Sequence, residues 1–412
     1  MINLALLREQ PDQITKLIKK KDPDYDVARL IKLDADVRQF SHAIEELRSE
    51  KNDLAQKGKQ GVTPEIRERS IAISKEVKEK EDSLQKVSVE FKELYLHCPN
   101  LLADDVPAGN KEANAVVKEA GKKPTFSFEP KNHLELGNAL GWFDFEAAAR
   151  MTASNFALYK RDCVKLIYAL EMLMFNNNIE HGYEPILPPY LINEQTLEGA
   201  SNFPRFKDAV YCVPEDGLYL TPTSEVNLSA LYRDAILSEQ ELPIRMTSLT
   251  SCFRREAGGY GSTERGLIRI HQFDKLELFS ITTPEKSNDE QERMLACAES
   301  ILKKLDVHYR ISLLAAQDCS FASAKTYDIE IWMPGQKEYK EVSSISNCTD
   351  FQSRRCSIRY RAQAGAKPQL VHTLNGSSLA LPRLMVGLIE SGQRADGSIE
   401  FPDVLKAVTI GI

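Results

Sequence analysis

The chain has 412 residues, 42% of them hydrophobic and 27% charged, an ordinary globular composition that can bury a large core and that argues against wholesale disorder. Lys and Arg number 53 against 60 Asp and Glu, a formal charge of -7 that excludes a uniformly basic nucleic-acid coat while leaving room for a local basic face. The apolar run between Met1 and Arg8 is too short for an export signal or a membrane span, so a cytoplasmic protein without membrane contact is expected.

The first hundred residues hold 19 Lys/Arg and 19 Asp/Glu, so the whole negative balance lies further on. From Leu30 the apolar positions Leu33, Val37, Phe40, Ile44, Leu47 and Leu54 alternate steps of three and four, with Lys51 the polar exception. The alternation resumes at Ile66 and continues through Ile73, Val77, Leu84, Val87, Phe91 and Leu94. Between the two runs, Gly58-Lys59-Gln60-Gly61-Val62-Thr63-Pro64 breaks the helix and permits reversal, which predicts an antiparallel coiled-coil hairpin over about 27–97. At 1.5 Å per residue each helix of about 30 residues spans roughly 45 Å. Arg38, Arg48, Lys51, Lys57, Lys59, Lys75 and Lys78 lie outside the seam, where they could meet phosphates or simply lace a solvated face with ion pairs.

Cys98-Pro99-Asn100 ends the second helix, and the Gly-, Pro-, Asn- and Lys-rich stretch 103–124 reads as a linker. A second domain follows over 125–412. It is expected to contain helices near 155–177, 224–237, 284–305 and 379–391, and strands near 211–213, 218–221, 269–280, 327–332 and 340–344. This is an α+β pattern, best satisfied by one antiparallel sheet covered by helices. The eight cysteines are dispersed with no C-x-x-C pair, and the seven His show no metal-binding spacing; buried free thiols are expected, and no zinc site.

Neither G-x-x-x-x-G-K-[ST] nor G-x-G-x-x-G occurs, so a bound nucleotide would have to be held by side chains. The candidate segment is Cys252-Phe253-Arg254-Arg255-Glu256-Ala257-Gly258-Gly259-Tyr260-Gly261, followed by Arg265 to Glu277, which reads as strand, glycine-loosened loop, strand. Arg269, His271, Phe273, Lys275 and Glu277 share one parity along the second strand unless a bulge intervenes. Taken singly, Phe273 is ordinary core and Glu256 an ordinary salt-bridge partner.

Arg254-x-Glu256, then Arg269-x-His271-Gln272-Phe273, then Leu374-Asn375-Gly376-Ser377-Ser378-Leu379-Ala380-Leu381-Pro382-Arg383 together resemble the second and third motifs of class II aminoacyl-tRNA synthetases, specifically the seryl-tRNA synthetase family. Gly182 to Pro189 is similar to the first, dimer-forming motif. The resemblance covers nearly the whole chain and implies an N-terminal tRNA-binding domain over 1–102, ahead of the linker and a class II catalytic domain. It also implies an ATP-dependent ligase that converts L-serine to seryl-adenylate with release of pyrophosphate. Serine would then pass to the 3'-terminal adenosine of serine tRNA, with selenocysteine tRNA a further candidate acceptor. The homodimer would meet tRNA through the arm and at the acceptor end.

By resemblance, Arg254 would hold the α-phosphate and the serine carboxylate, Arg269 the outer phosphates, and Arg383 the terminal phosphate while flanking adenine. These three are the candidate catalytic residues. Phe273 would stack on the base and Glu256 would accept from its amino group. Glu341, Val342, Ser343 and Ser344 match the family's ATP-binding block, with Glu341 and Ser344 as oxygen ligands to Mg2+. Thr223, Ser224 and Glu225 match the element over the amino acid, and Arg254, Glu277, Asn375 and Ser377 complete the serine set. The chemistry suits such a set. Two anions must meet without a protein nucleophile, so cations and in-line positioning carry the reaction, and a planar guanidinium grips phosphate at two points.

Three segments depart from the family pattern: Arg255 where a small residue is common, Leu381-Pro382 before Arg383, and Gly199 to Pro204. Two other readings stay open: an enzyme that loads a carrier protein instead of tRNA, which the arm argues against, and a catalytically silent tRNA-binding protein, which the retained charged residues argue against.

Overall fold

The computed structural model describes residues 1–59, 61, 63–256 and 266–405. The chain divides into two compact units, Asn3–Pro99 and Asn100–Ile412.

In the first unit, α1 (Val27–Gly58) and α2 (Pro64–Leu96) form the hairpin. Asp26 caps α1 by accepting from the Arg29 amide at 2.9 Å, and Thr63 caps α2 ahead of a first-turn proline. Leu30, Leu33, Ile44 and Ile73 are buried along the seam. Ion pairs cross it at Arg29–Glu90 (2.8 Å), Arg48–Glu81 (2.7 Å) and Glu50–Arg69 (2.7 Å). Their numbers rise on one helix as they fall on the other, as an antiparallel pair requires. Solvent screens exposed pairs of this kind, so burial of the seam drives association while the charges fix register. Within the turn, Gln60 and Val62 lie outside the described residues.

The hairpin's basic residues are not equivalent. Arg38 is held by Asp34 at 3.2 Å and Arg48 by Glu81, while the Lys51 ammonium reaches Ser74 Oγ at 2.9 Å. Lys75 lies 4.0 Å from Glu79. Lys57, Lys59 and Lys78 have no side-chain partner among the described residues.

The second unit is built on an eight-stranded sheet: β1 (Ala115–Ala120), β2 (Glu184–Pro185), β3 (Ile244–Phe253), β4 (Gln272–Thr282), β5 (Tyr309–Leu313), β6 (Lys325–Met333), β7 (Glu338–Thr349) and β8 (His372–Ala380). Their spatial order is β1-β5-β6-β7-β8-β4-β3-β2, antiparallel throughout except for the edge pair β2 and β3. Helices α3 (Asp162–Glu180), α5 (Ser287–Lys304) and α6 (Leu381–Ser391) bury one face of the sheet, and the short α4 (Ser224–Ala230) precedes β3. Alternation along β4 sends Leu276 and Leu278 into the core beneath the helices and leaves Phe273, Lys275 and Glu277 on the opposite face.

Several boundaries differ from the sequence expectation for identifiable reasons. The helix expected from 155 begins only at Asp162, because Asn155 and Arg161 adopt positive φ values of 60° and 58°. The helix expected over 224–237 ends at Ala230; beyond a left-handed Asp234, Ile236–Ser238 pairs in parallel with Arg359–Arg361. Gly266–Ile268 forms a single 3₁₀ turn, so β4 starts at Gln272 and Arg269 stands before the strand. The stretch expected as a linker contains β1, which pairs with β5 at the sheet edge.

Candidate active site

On the sheet face away from α3, α5 and α6 lies a cleft of about 420 Å³. It brings together Glu225, Arg254, Glu256, Arg269, Phe273, Glu277, Glu341, Ser344, Asn375, Ser377 and Arg383, eleven of the fifteen residues singled out from the sequence. Arg254 and Glu256 follow the end of β3, Phe273 and Glu277 stand on β4, Glu341 and Ser344 on β7, Asn375 and Ser377 on β8, and Arg383 in the first turn of α6.

Two β-bulges make this convergence possible. Along β7, Ser343 pairs with Ile329 and Glu341 with Glu330, so Val342 is an extra residue and the pleat shifts by one. Glu341 and Ser344, three apart, would otherwise point to opposite faces; with the bulge both line the cleft. Along β8, Ser377 pairs with Glu277 and Leu379 with Leu276, so Ser378 is the extra residue, and Asn375, Ser377 and Ala380 all reach the cleft.

Four predicted residues do not line it. Val342 is fully buried in the core under the helices, and Ser343 Oγ donates to the Ser377 carbonyl, which leaves both only their backbone for any ligand. Ser224 is buried in the first turn of α4, its hydroxyl without a hydrogen-bond partner among the described residues. Thr223 caps α4, accepting from the Glu225 amide at 3.3 Å, and donates to Glu277 Oε2 at 3.0 Å, so it acts on the cleft through Glu277. Ala257 to Arg265, including the glycines of the motif loop, lie outside the described residues.

Among the described lining residues, four basic side chains, Arg254, Arg269, Lys275 and Arg383, face four acidic ones, Glu225, Glu256, Glu277 and Glu341. Arg269 pairs with Glu256, Lys275 with Glu277, and Arg383 with Glu341 at 2.9 Å. Among the described residues, Arg254 is the one lining cation without a carboxylate salt bridge. Its Nε donates to the Pro222 carbonyl at 3.2 Å, and its guanidinium lies 5.1 Å from the Phe273 ring centroid. A guanidinium held in place but not neutralised by protein is ready to bind an anion.

The carboxylates are tuned by burial. Burial, reinforced by neighbouring Glu277, pushes Glu225 up to about 7, while Gln352 holds its Oε1 at 2.7 Å. Burial, with Glu341 nearby, also raises Asp328 well above the usual carboxylate range. Asp328 stands opposite Ser344 in the β6–β7 register, and its buried Oδ1 has no hydrogen-bond partner among the described residues. Glu341 and Ser344, which both line the cleft, offer oxygen donors of the kind Mg2+ takes. No group of three or more His, Cys, Asp or Glu is arranged for metal among the described residues, so such an ion would take further ligands from phosphate and water.

Sequence reading missed Lys275, Ser320 and Ser346 on the cleft walls and Gln352 behind Glu225. Lys275 had a signal, since it shares the parity of Phe273 and Glu277. Gln352 had none, being brought in by a short helix (Phe351–Cys356) remote in sequence.

Comparison with known proteins agrees with this architecture. Residues 211–392 match the model for the tRNA synthetase class II core domain (G, H, P, S and T), and residues 1–102 match the seryl-tRNA synthetase N-terminal domain. A serine–tRNA ligase of Chlamydia pneumoniae is 42% identical over 100% of this chain and 98% of its own length. Among solved structures, the seryl-tRNA synthetase of Pyrococcus horikoshii complexed with ATP superposes with a TM-score of 0.92 at 32% identity, covering 100% of this chain and 98% of that one. The cytoplasmic serine–tRNA ligase of Naegleria fowleri in complex with AMP gives 0.86 at 26% identity with the same coverage. Among the described residues no helix is long and apolar enough to cross a membrane.

Proposed function

This chain belongs to the seryl-tRNA synthetase family and catalyses the ATP-dependent joining of serine to tRNA, and we propose how its residues divide that work. The observation that carries the assignment is Arg254: a partly buried guanidinium with no carboxylate partner among the described residues, standing over Phe273 at the centre of the cleft. Arg254 binds both the α-phosphate and the serine carboxylate, so that a carboxylate oxygen attacks the α-phosphorus in line while pyrophosphate leaves. Arg269 and Arg383 take the outer phosphates. As they turn from Glu256 and Glu341 toward phosphate, Glu256 is released to accept from the adenine amino group, and adenine lies between Phe273 and Arg383.

Glu341 and Ser344 would hold Mg2+, which neutralises triphosphate charge when bound. Thr223, Glu225, Glu277, Asn375 and Ser377 surround serine, with the carboxylates facing its ammonium and hydroxyl. Buried partners for a hydroxyl reject an analogue without one by roughly 10⁴ to 10⁵, because they would be left unpaired. In the second step the terminal ribose hydroxyl of tRNA attacks the activated carbonyl and AMP leaves.

The hairpin serves as the tRNA-binding arm, with Lys57, Lys59 and Lys78 the cations open to phosphate. The working unit is a cytoplasmic homodimer. On α3, Tyr168, Met172 and Ile179 are exposed at 53%, 46% and 42% along one helical face, and Leu187, just beyond β2, is exposed at 80%. An apolar patch of this kind suits a subunit interface.

Pyrophosphate exchange with serine, glycine, alanine and threonine, followed by transfer to serine tRNA, tests the reading. Serine-specific exchange with tRNA charging is expected. Exchange without charging would favour a different acceptor, and no exchange would leave a binding protein.

A further inference from the structure

Lys275 belongs to none of the roles above, yet it is 8% exposed, lines the cleft and pairs with Glu277, which is 1% exposed. An ammonium so buried has a desolvation cost that a surface lysine avoids, and pairing offsets it only where the geometry is good. The Lys275 ammonium and the Thr223 hydroxyl, at 3.0 Å, both engage Glu277 Oε2. Among the described residues Oε1 accepts no hydrogen bond.

We infer that Lys275 is a positioning residue for amino-acid selection: together with Thr223 it fixes one oxygen of Glu277 and presents the other oxygen to the hydroxyl or ammonium of serine. The inference rests on the assignment of serine to this end of the cleft.

The surroundings explain why a cation is needed here. Glu225 and Glu277 are neighbouring carboxylates, and two such groups in one buried site tend to share a proton. The other charged or titratable groups acting on this cluster are Arg254, after β3, and the Cys252 thiol on β3. Thr250 stands opposite Lys275 on β3, and Ala380 opposite it on β8. Lys275 is therefore the counter-charge held within the carboxylate pair, whereas Arg254 is committed to the substrates. Without Lys275, whose charge opposes the rise, Glu225 would retain its proton to higher pH, and a protonated carboxyl is a poor partner for an ammonium group.

The test is pyrophosphate exchange on the full-length protein, with Lys275→Met and Lys275→Arg beside wild type, varying serine and ATP separately from pH 6 to 8.5. The inference predicts that Lys275→Met raises the serine KM about tenfold or more while the ATP KM stays within about twofold. The pH at which the serine KM falls should move upward by about one unit, and Lys275→Arg should restore both values toward wild type. If Lys275→Met does not fold by thermal melting, Lys275→Gln gives the same readout. An unchanged serine KM, an equal loss toward both substrates, or an unmoved pH midpoint would overturn the inference. Absence of serine-dependent exchange in the wild type would instead overturn the parent assignment.

Discussion

Glu277 on β4 and Ser377 on β8 stand directly opposite each other in an antiparallel pair, immediately before the bulge at Ser378. That pairing sets the polar end of the cleft. Beyond the bulge the chain enters α6 and returns Arg383 to the same cleft.

Arg254→Ala should abolish adenylate formation while sparing the fold. Loss of a preorganised transition-state contact lowers exchange by about 10² to 10³ or more. Among the described residues the side chain's contacts are one hydrogen bond to a carbonyl and the Phe273 ring, so the melting temperature should move by only about 2–4 °C. Exchange assays and thermal melts on the same preparation check both halves.

Glu225 gives a pH prediction whose direction follows from its raised value. With its carboxyl pushed up to about 7, serine affinity should improve as pH rises through that value and the group ionises, until the substrate's own amine titrates. For stability the sign is opposite. The folded state holds the proton more tightly than the unfolded chain, so this group's contribution is fully present below the ordinary value of 4.5 and is lost as pH rises through about 7. Glu225→Gln should therefore raise the melting temperature at pH 8 while weakening serine binding. Melting curves at pH 5 and pH 8, paired with serine titrations, measure this crossover.

Removal of residues 30–94 should spare serine-dependent exchange and eliminate tRNA charging, since every described lining residue of the cleft belongs to the second unit. A milder variant, Lys57→Ala with Lys59→Ala and Lys78→Ala, should weaken tRNA binding and flatten its salt dependence by about 0.7–0.9 in log-log slope per lost phosphate contact. Binding isotherms at several salt concentrations supply the slope.

Met172→Glu with Ile179→Glu on α3 should yield monomers in analytical ultracentrifugation, because charge on an apolar interface must be desolvated without a partner. A dimer unchanged by both substitutions would move the interface elsewhere.

The sequence carried the chemistry of the site further than its geometry. The resemblance to the class II motifs singled out Arg254, Glu256, Arg269, Phe273 and Arg383, and the fold brings all five into one cleft. The heptad seam was legible because periodicity reports one buried face directly. The bulges at Val342 and Ser378 were not, since simple alternation assigns Glu341 and Ser344 to opposite faces. Val342 entered the ATP-binding block through the family resemblance, and its side chain belongs to the core. Strands β1, β5 and β8 went unseen because their exposure pattern depends on neighbours distant in the chain. Gln352 touches Glu225 across 127 positions of sequence, a contact that only the tertiary fold creates.

The most direct test of the central claim is a crystal structure with a non-hydrolysable seryl-adenylate analogue bound. The account predicts its adenine between Phe273 and Arg383, its phosphate surrogate on Arg254, and its seryl hydroxyl or ammonium within hydrogen-bond reach of Glu277 Oε1. An analogue bound outside this cleft, or bound within it without contact to Arg254, would contradict it.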